Sequence, residues 1–153
     1  MSSPSIIYIG ADHAGFALKE SVKRHLNDRE FEVEDLGAHE LSPGDDYPVF
    51  AARVAQAVRE NPRSVGILIC GSAEGVCIAA NKFDGIRAGI GFSIDAARSL
   101  RANDTGNILC LAGRLSTIDA PMAIVDAFLT AEPSGETRHM RRVNEIRAIE
   151  VQE

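Results

Sequence analysis

The alternation of apolar runs with amphipathic stretches predicts a doubly wound α/β domain on a five-stranded, mostly parallel sheet. Three observations carry this. Strand-length apolar runs and helical stripes take turns along the whole chain. The run Val65–Cys70 is apolar on both faces, as at the centre of a parallel sheet. No linker, repeat or low-complexity tract divides the 153 residues, so residues 1–153 read as a single domain around one core.

The elements follow in order. Ile6-Ile-Tyr-Ile9 reads as a buried strand, leading through Gly10–Gly15 into a helix striped by Leu18, Val22 and Leu26. Phe31–Leu36 alternates imperfectly, as an edge strand would. A polar loop over 37–47 ends at Asp45-Asp-Tyr-Pro48, where Pro48 suits a helix start and Phe50, Val54 and Val58 supply the buried stripe. Val65–Cys70 is the central strand, Gly71–Gly75 its loop, and Val76–Lys82 a short helix. Ile86–Ile90 is a fourth strand, and Ser93 caps a helix carrying Ile94, Ala97 and Leu100. Asn107–Leu111 is the fifth strand. Ser116 or Thr117 is expected to cap the next helix, with Pro121 in its first turn. The C-terminal segment is helical, with Met140, Val143, Ile146 and Ile149 at every third position. No strand follows to hold it, so it packs on its own sheet or reaches a second subunit. Ligands of such folds bind beyond the carboxyl ends of the strands, and the loops 10–15, 71–75 and 102–107 are expected there.

Composition narrows the function. A formal charge of −6 argues against nucleic acid as a partner, and no apolar run approaches a membrane span. Residues 1–5 lack the features of a secretory signal, so the cytoplasm is the expected location. Three cysteines without a Cys-x-x-Cys spacing favour neither a disulfide framework nor a structural zinc. Arg138, Arg141, Arg142 and Arg147 crowd the C-terminal segment, a local basic site suited to a small anion.

Cys70 ends the most buried strand and precedes a glycine-containing loop and a helix. A thiolate is favoured at such a helix start, and the backbone N–H groups of 71–75 could meet an anion beside it. That is equipment for removing a proton alpha to a carbonyl and holding the enediolate. A strand-end cysteine is equally often a small buried hydrophobe, and position alone leaves both readings open. Cys77 and Cys110 lie in apolar stretches and read as core. The loop lacks the Gly-Lys-Ser/Thr of a P-loop, and Gly10–Gly15 lacks G-x-G-x-x-G, which weakens nucleotide readings. Asp12 and His13 suit hydroxyl or phosphate recognition, with an Asx-turn the plainer role for Asp12. Arg138 and Arg142, at i and i+4 beside His139, suit a phosphate clamp, although a solvated face paired with Glu136 and Glu145 explains the spacing more simply.

Taken in order, Gly10-Ala-Asp-His-Ala-Gly-Phe16, Asp46-Tyr-Pro48, Cys70-Gly-Ser72, Ile78-Ala-Ala-Asn-Lys82, Gly85-Ile-Arg-Ala88, Asn103-Asp104, Gly113-Arg114 and Arg138-His139 with Arg142 resemble type B ribose-5-phosphate isomerase, in the ribose/galactose isomerase family. The likeness runs from about Ile6 to Glu150. It implies a Rossmann-like domain, a homodimer or tetramer with sites shared between subunits, and no metal or cofactor. It makes Cys70 the base and Ser72 its assistant, with the amides of Gly71, Ala73, Glu74 and Gly75 holding the enediolate. Asp12, Tyr47, Asn81 and Asn103 would position the sugar. His13, Arg114, Arg138, His139 and Arg142 would contact the phosphate.

Three positions depart from the family pattern. Ala102 stands where a ring-opening histidine is usual, and no histidine is near it in sequence. Ala73 replaces a glycine, with fewer backbone angles open to it, and Glu74 brings a negative charge beside an intended anion unless it faces solvent at the helix start. Cys77 replaces a small polar residue. An aldose–ketose isomerase of ribose 5-phosphate is the leading expectation. An isomerase of another sugar phosphate, such as an open-chain tetrose, or a non-catalytic binding subunit of a hetero-oligomer is the alternative.

Overall fold

The computed structural model describes residues 3–151. The chain runs β1 (Ile6–Ala11), α1 (Phe16–Asp28), β2 (Val33–Asp35), α2 (Tyr47–Glu60), β3 (Ser64–Cys70) and α3 (Glu74–Ala80). It continues through β4 (Ala88–Ile90), α4 (Ile94–Asp104), β5 (Ile108–Ala112), α5 (Pro121–Thr130) and α6 (Thr137–Val151). Every strand pair is parallel, in the order β2-β1-β3-β5-β4. The doubly wound expectation holds, with β3 central. The edge strand foreseen over Phe31–Leu36 shortens to the three residues of β2.

Side-chain alternation along β3 divides the core into two layers. Val65, Ile67 and Ile69 pack with Val22, Leu26, Ile124 and Phe128 on one face. Leu68 and Cys70 pack with Ala51, Val54, Val58, Val76 and Ala80 on the other. Between them all seven residues of β3 are buried, and each fully buried Leu or Ile contributes about 1.5–3 kcal/mol of transfer free energy. Gly66 keeps the second layer close: a Cβ there would fall 2.7 Å from Val54 Cγ1.

Local chemistry sets the helix starts. Ser93 caps α4 as expected, its Oγ accepting the Ala96 N–H at 3.0 Å, while Asp119 Oδ2 accepts the Ile94 N–H at 2.7 Å. The cap expected at Ser116 or Thr117 does not form. α5 begins at Pro121 behind Ala120, and the Thr117 hydroxyl donates to the Asp119 carbonyl at 2.5 Å. Proline at the first helical position has no N–H to satisfy and its fixed φ suits the helix, so Pro121 marks this start without a side-chain cap.

Among the described residues, one charged side chain lies wholly inside. Lys19 is 0% exposed and pairs with Asp35 Oδ2 at 2.6 Å while also donating to the Ala38 carbonyl. Lys23 reaches the same oxygen at 2.8 Å. Burial acts to raise the Asp35 carboxyl, but the Lys19, Lys23 and Gly37 donors outweigh it and hold the group below its ordinary value. This cluster fastens α1 to the segment after β2, whose Gly37 carbonyl accepts the Ala11 N–H at 2.8 Å.

α6 packs against α4, yet only Val143 on it is buried. Met140, Ile146 and Ile149 stay 56%, 39% and 64% exposed. Among the described residues no helix is long and apolar enough to cross a membrane.

Candidate active site

In a parallel sheet all strands end at one pole, so the loops after β1, β3 and β5 meet there. Their backbones are stitched together. Asp12 N–H donates to the Ile69 carbonyl at 3.4 Å, Gly113 N–H to Cys70 at 2.8 Å, and Arg114 N–H to Gly71 at 3.0 Å. Asp12 is 5% exposed and accepts the Gly15 N–H on Oδ1 at 3.1 Å, the Asx-turn role. His13 turns toward the segment before α2, where Asp45 Oδ1 accepts its backbone N–H at 2.8 Å and lies 2.9 Å from its Nδ1. Asp45 was legible only as part of a polar loop, because its partner is 32 residues away. Asp12, His13 and Asp45 each bring one ligand atom within 4.8 Å of the others, and the His13–Asp45 hydrogen bond already accounts for much of that proximity.

Cys70 sits at the tip of β3, 4% exposed, its side chain in the layer of α2 and α3. The following residues turn sharply. Ala73 adopts φ 71° and ψ −23°, a left-handed conformation that costs an L-residue about 1–2 kcal/mol. The backbone demand foreseen at this position is therefore met without glycine. Glu74 is exposed in the first turn of α3, its carboxylate toward solvent. Tyr47 opens α2 and lays its ring over Gly75, where a Cβ would come 2.5 Å from Tyr47 Cζ. Among the described residues, the half-buried Ser72 hydroxyl and the exposed Arg114 guanidinium have no hydrogen-bond partner.

The two remaining thiols, Cys77 and Cys110, are neighbours. Burial pushes Cys110 well above the ordinary thiol value, reinforced by the neighbouring Cys77. The same proximity pulls Cys77 down, against the effect of its own partial burial. Cys110 is core, as expected, whereas Cys77 is half-buried and the more thiolate-prone of this pair.

The remaining predicted residues lie at the opposite pole, which corrects the placement of 102–107. That loop precedes β5 and so sits at the amino ends of the strands. The Asn107 carbonyl accepts the Gly66 N–H at 2.8 Å, and Gly66 is four residues, about 13 Å, back along β3 from Cys70. Asn81 is likewise not brought to Cys70. Its amide brackets Ala88 at the start of β4, accepting from its N–H at 2.8 Å and donating to its carbonyl at 3.0 Å. Asn103, in the last turn of α4, donates to Ser99 Oγ at 3.1 Å. Arg138 pairs with Glu136 at 2.8 Å, and Arg142 is exposed.

His139 shares a face of α6 with buried Val143. Its Nδ1 lies 2.6 Å from Ser134 Oγ, and it borders a cavity of about 330 Å³ with Ala102, Asn103 and Asn144. A histidine is therefore beside Ala102 after all, across a sequence gap that motif reading could not close.

Residues 7–146 match the family described as Ribose/Galactose Isomerase. The chain belongs to the ribose/galactose isomerase family. Its relatives include a probable ribose-5-phosphate isomerase B of Mycoplasma pneumoniae, 46% identical over 144 residues and 94% of each chain. The ribose-5-phosphate isomerase B of Escherichia coli is 42% identical, over 94% of this chain and 95% of that one. A crystal structure of ribose-5-phosphate isomerase B from Mycoplasma genitalium with bound ribulose-5-phosphate superposes with a TM-score of 0.92 at 42% identity, covering 97% of both chains. Family membership and the α/β fold foreseen from the motifs both stand.

Proposed function

We propose that this chain is an aldose–ketose isomerase interconverting ribose 5-phosphate and ribulose 5-phosphate through an enediolate. The Cys70 thiolate carries the proton between C1 and C2, and Ser72 exchanges protons on the sugar oxygens. The amides of Gly71, Ala73, Glu74 and Gly75 hold the developing oxyanion. Asp12, Tyr47 and Asn103 position the sugar, and His13, Arg114, Arg138, His139 and Arg142 surround the phosphate. Asn81 is left out of this set, since both ends of its amide already serve Ala88. The observation that carries this is Cys70 itself: a thiol at the end of the central strand, beside a free Ser72 hydroxyl, in a chain 42% identical to a relative solved with ribulose-5-phosphate.

The separation of the poles supports a site shared between two copies. Asn103, Arg138, His139 and Arg142 of one subunit then face Cys70 of the next, with exposed Met140, Ile146 and Ile149 forming part of the contact. The partners are sugar phosphate and further copies of this chain, as a dimer or dimer of dimers, without nucleic acid or membrane. The location is cytoplasmic, where phosphorylated sugars are retained by their charge.

Mixing tests the shared site. Cys70→Ala and Arg142→Ala are each inactive alone, but a mixed dimer rebuilds one complete site of its two. Random exchange therefore restores roughly a quarter of wild-type activity. Activity that stays at zero after verified exchange places all the groups on one subunit.

Ala102 favours one second reading. A tetrose 4-phosphate cannot close to a furanose, because its phosphate occupies the oxygen that would close the ring, and it needs no ring-opening acid. With ribose 5-phosphate, His139, which lines the Ala102 cavity, is the candidate for that step in addition to its phosphate contact. A panel of tetrose, pentose and hexose phosphates decides: faster turnover of the tetrose displaces ribose 5-phosphate as substrate.

A further inference from the structure

We propose that Asp45 is a positioning residue for His13, fixing its ring so that Nε2 presents a proton to the substrate phosphate. The phosphate part of this rests on the function proposed above; the orienting contact does not.

One oxygen, Asp45 Oδ1, meets both the backbone N–H and the ring Nδ1 of His13, at 2.8 and 2.9 Å. Two bonds from one residue to one acceptor fix the ring's position as well as its plane. The acceptor is a carboxylate, so Nδ1 supplies the proton and Nε2 is the nitrogen left for a ligand. The carboxylate is well enclosed, with 14% of its side chain exposed, and His13 is 28% exposed. His13 is therefore anchored at the back and open at the front.

The second oxygen, Asp45 Oδ2, is buried without a hydrogen-bond partner. A carboxylate held this way is costly unless a cation accompanies it. A phosphate oxygen accepts from Nε2 only if that nitrogen is also protonated. The bound ring then carries both protons, and Asp45 is the counter-charge behind it. The loop Ser42–Asp45, closed by the Asp45 N–H to Ser42 carbonyl bond at 3.2 Å, aims the carboxylate. Asp46 is the N-cap residue of α2, and Tyr47, the first residue of that helix, covers Gly75. One short segment thus sets both the histidine and the tyrosine.

The test uses the full chain with Asp45→Ala and Asp45→Asn. Three readouts are taken: KM and kcat for ribose 5-phosphate, competitive inhibition by inorganic phosphate, and the His13 ring nitrogens by long-range ¹H–¹⁵N NMR. Wild type should show a protonated, hydrogen-bonded Nδ1. Asp45→Ala should lose that signature, weaken inorganic phosphate and raise KM by about tenfold, the scale for removing a functional histidine's orienting partner, with kcat within about twofold. Asp45→Asn keeps an acceptor oxygen, retains the Nδ1–H signal and falls between the two, which also guards against misfolding of the alanine variant. In a His13→Gln background, Asp45→Ala should add nothing further.

A fall in kcat at constant KM overturns the proposal. So does an Nδ1 signal indifferent to Asp45→Ala, or an Asp45 effect that persists without His13. If wild type fails to turn over ribose 5-phosphate, the function proposed above fails instead, while the NMR and inorganic-phosphate arms still decide on Asp45.

Discussion

Replacing Asp35 with Asn should destabilise the fold far more than a surface substitution. Lys19 is 0% exposed and its Nζ lies 2.6 Å from Asp35 Oδ2, with Glu20 a weaker partner at 3.5 Å. Removing one side of a buried pair leaves the other charge uncompensated and costs about 3–5 kcal/mol. The Ala38 carbonyl and Glu20 remain for Lys19, so the low end, roughly 3 kcal/mol, is expected. For a chain this size that lowers Tm by about 6–12 °C. Thermal unfolding at fixed protomer concentration measures it. The double variant Lys19→Met, Asp35→Asn should recover most of the loss, since an apolar replacement of both partners removes the stranded charge.

The pH dependence has a definite sign. Asp35 is held below its ordinary value when folded, so its contribution is complete above the unfolded carboxylate pKa, about 3.9. It is lost as pH falls through the lower folded value. The gap between wild type and Asp35→Asn should stay constant from neutral pH down to about 5 and close in stronger acid. A gap below about 1 kcal/mol at neutral pH would mean that the pair is hydrated, and the argument from burial would fail.

Two further outcomes follow from the site. Ala73→Gly should stabilise by about 1 kcal/mol, because glycine adopts φ 71° without the left-handed penalty; chemical denaturation at equal m-value tests this, and a loss of stability contradicts it. In Cys70→Ala, iodoacetamide should modify Cys77 and spare Cys110, since their proximity favours thiolate at half-buried Cys77 while burial opposes it at Cys110. Peptide mapping reads the result, and equal labelling of both contradicts it.

The features legible in the sequence are those set by short-range pattern. Val65–Cys70 could be read as the central strand because burial on both faces demands an unbroken apolar run. Ser93 could be read as a cap because an N-cap acts within three residues. Cys70 and Asp12 were found because the carboxyl pole of a parallel sheet gathers the loops after strands. The same rule, applied with chain direction in view, places 102–107 before β5 and so at the other pole. What could not be read depends on contacts between distant segments. Lys19 gives no sign of burial until β1 and β2 pair and bring Asp35 alongside. The His13–Asp45 and His139–Ala102 neighbourhoods are likewise products of the fold rather than of any local motif.

The central claim is that Cys70 moves a proton between C1 and C2. Solvent deuterium incorporation tests it without depending on net turnover. Wild type, incubated in deuterium oxide with ribose 5-phosphate and ribulose 5-phosphate, should place deuterium at C2 of the aldose and C1 of the ketose. Cys70→Ala should slow that exchange by at least ~10²-fold, the scale for removing a general base, while its circular dichroism and Tm stay close to wild type. Undiminished exchange in a folded Cys70→Ala protein would contradict the account.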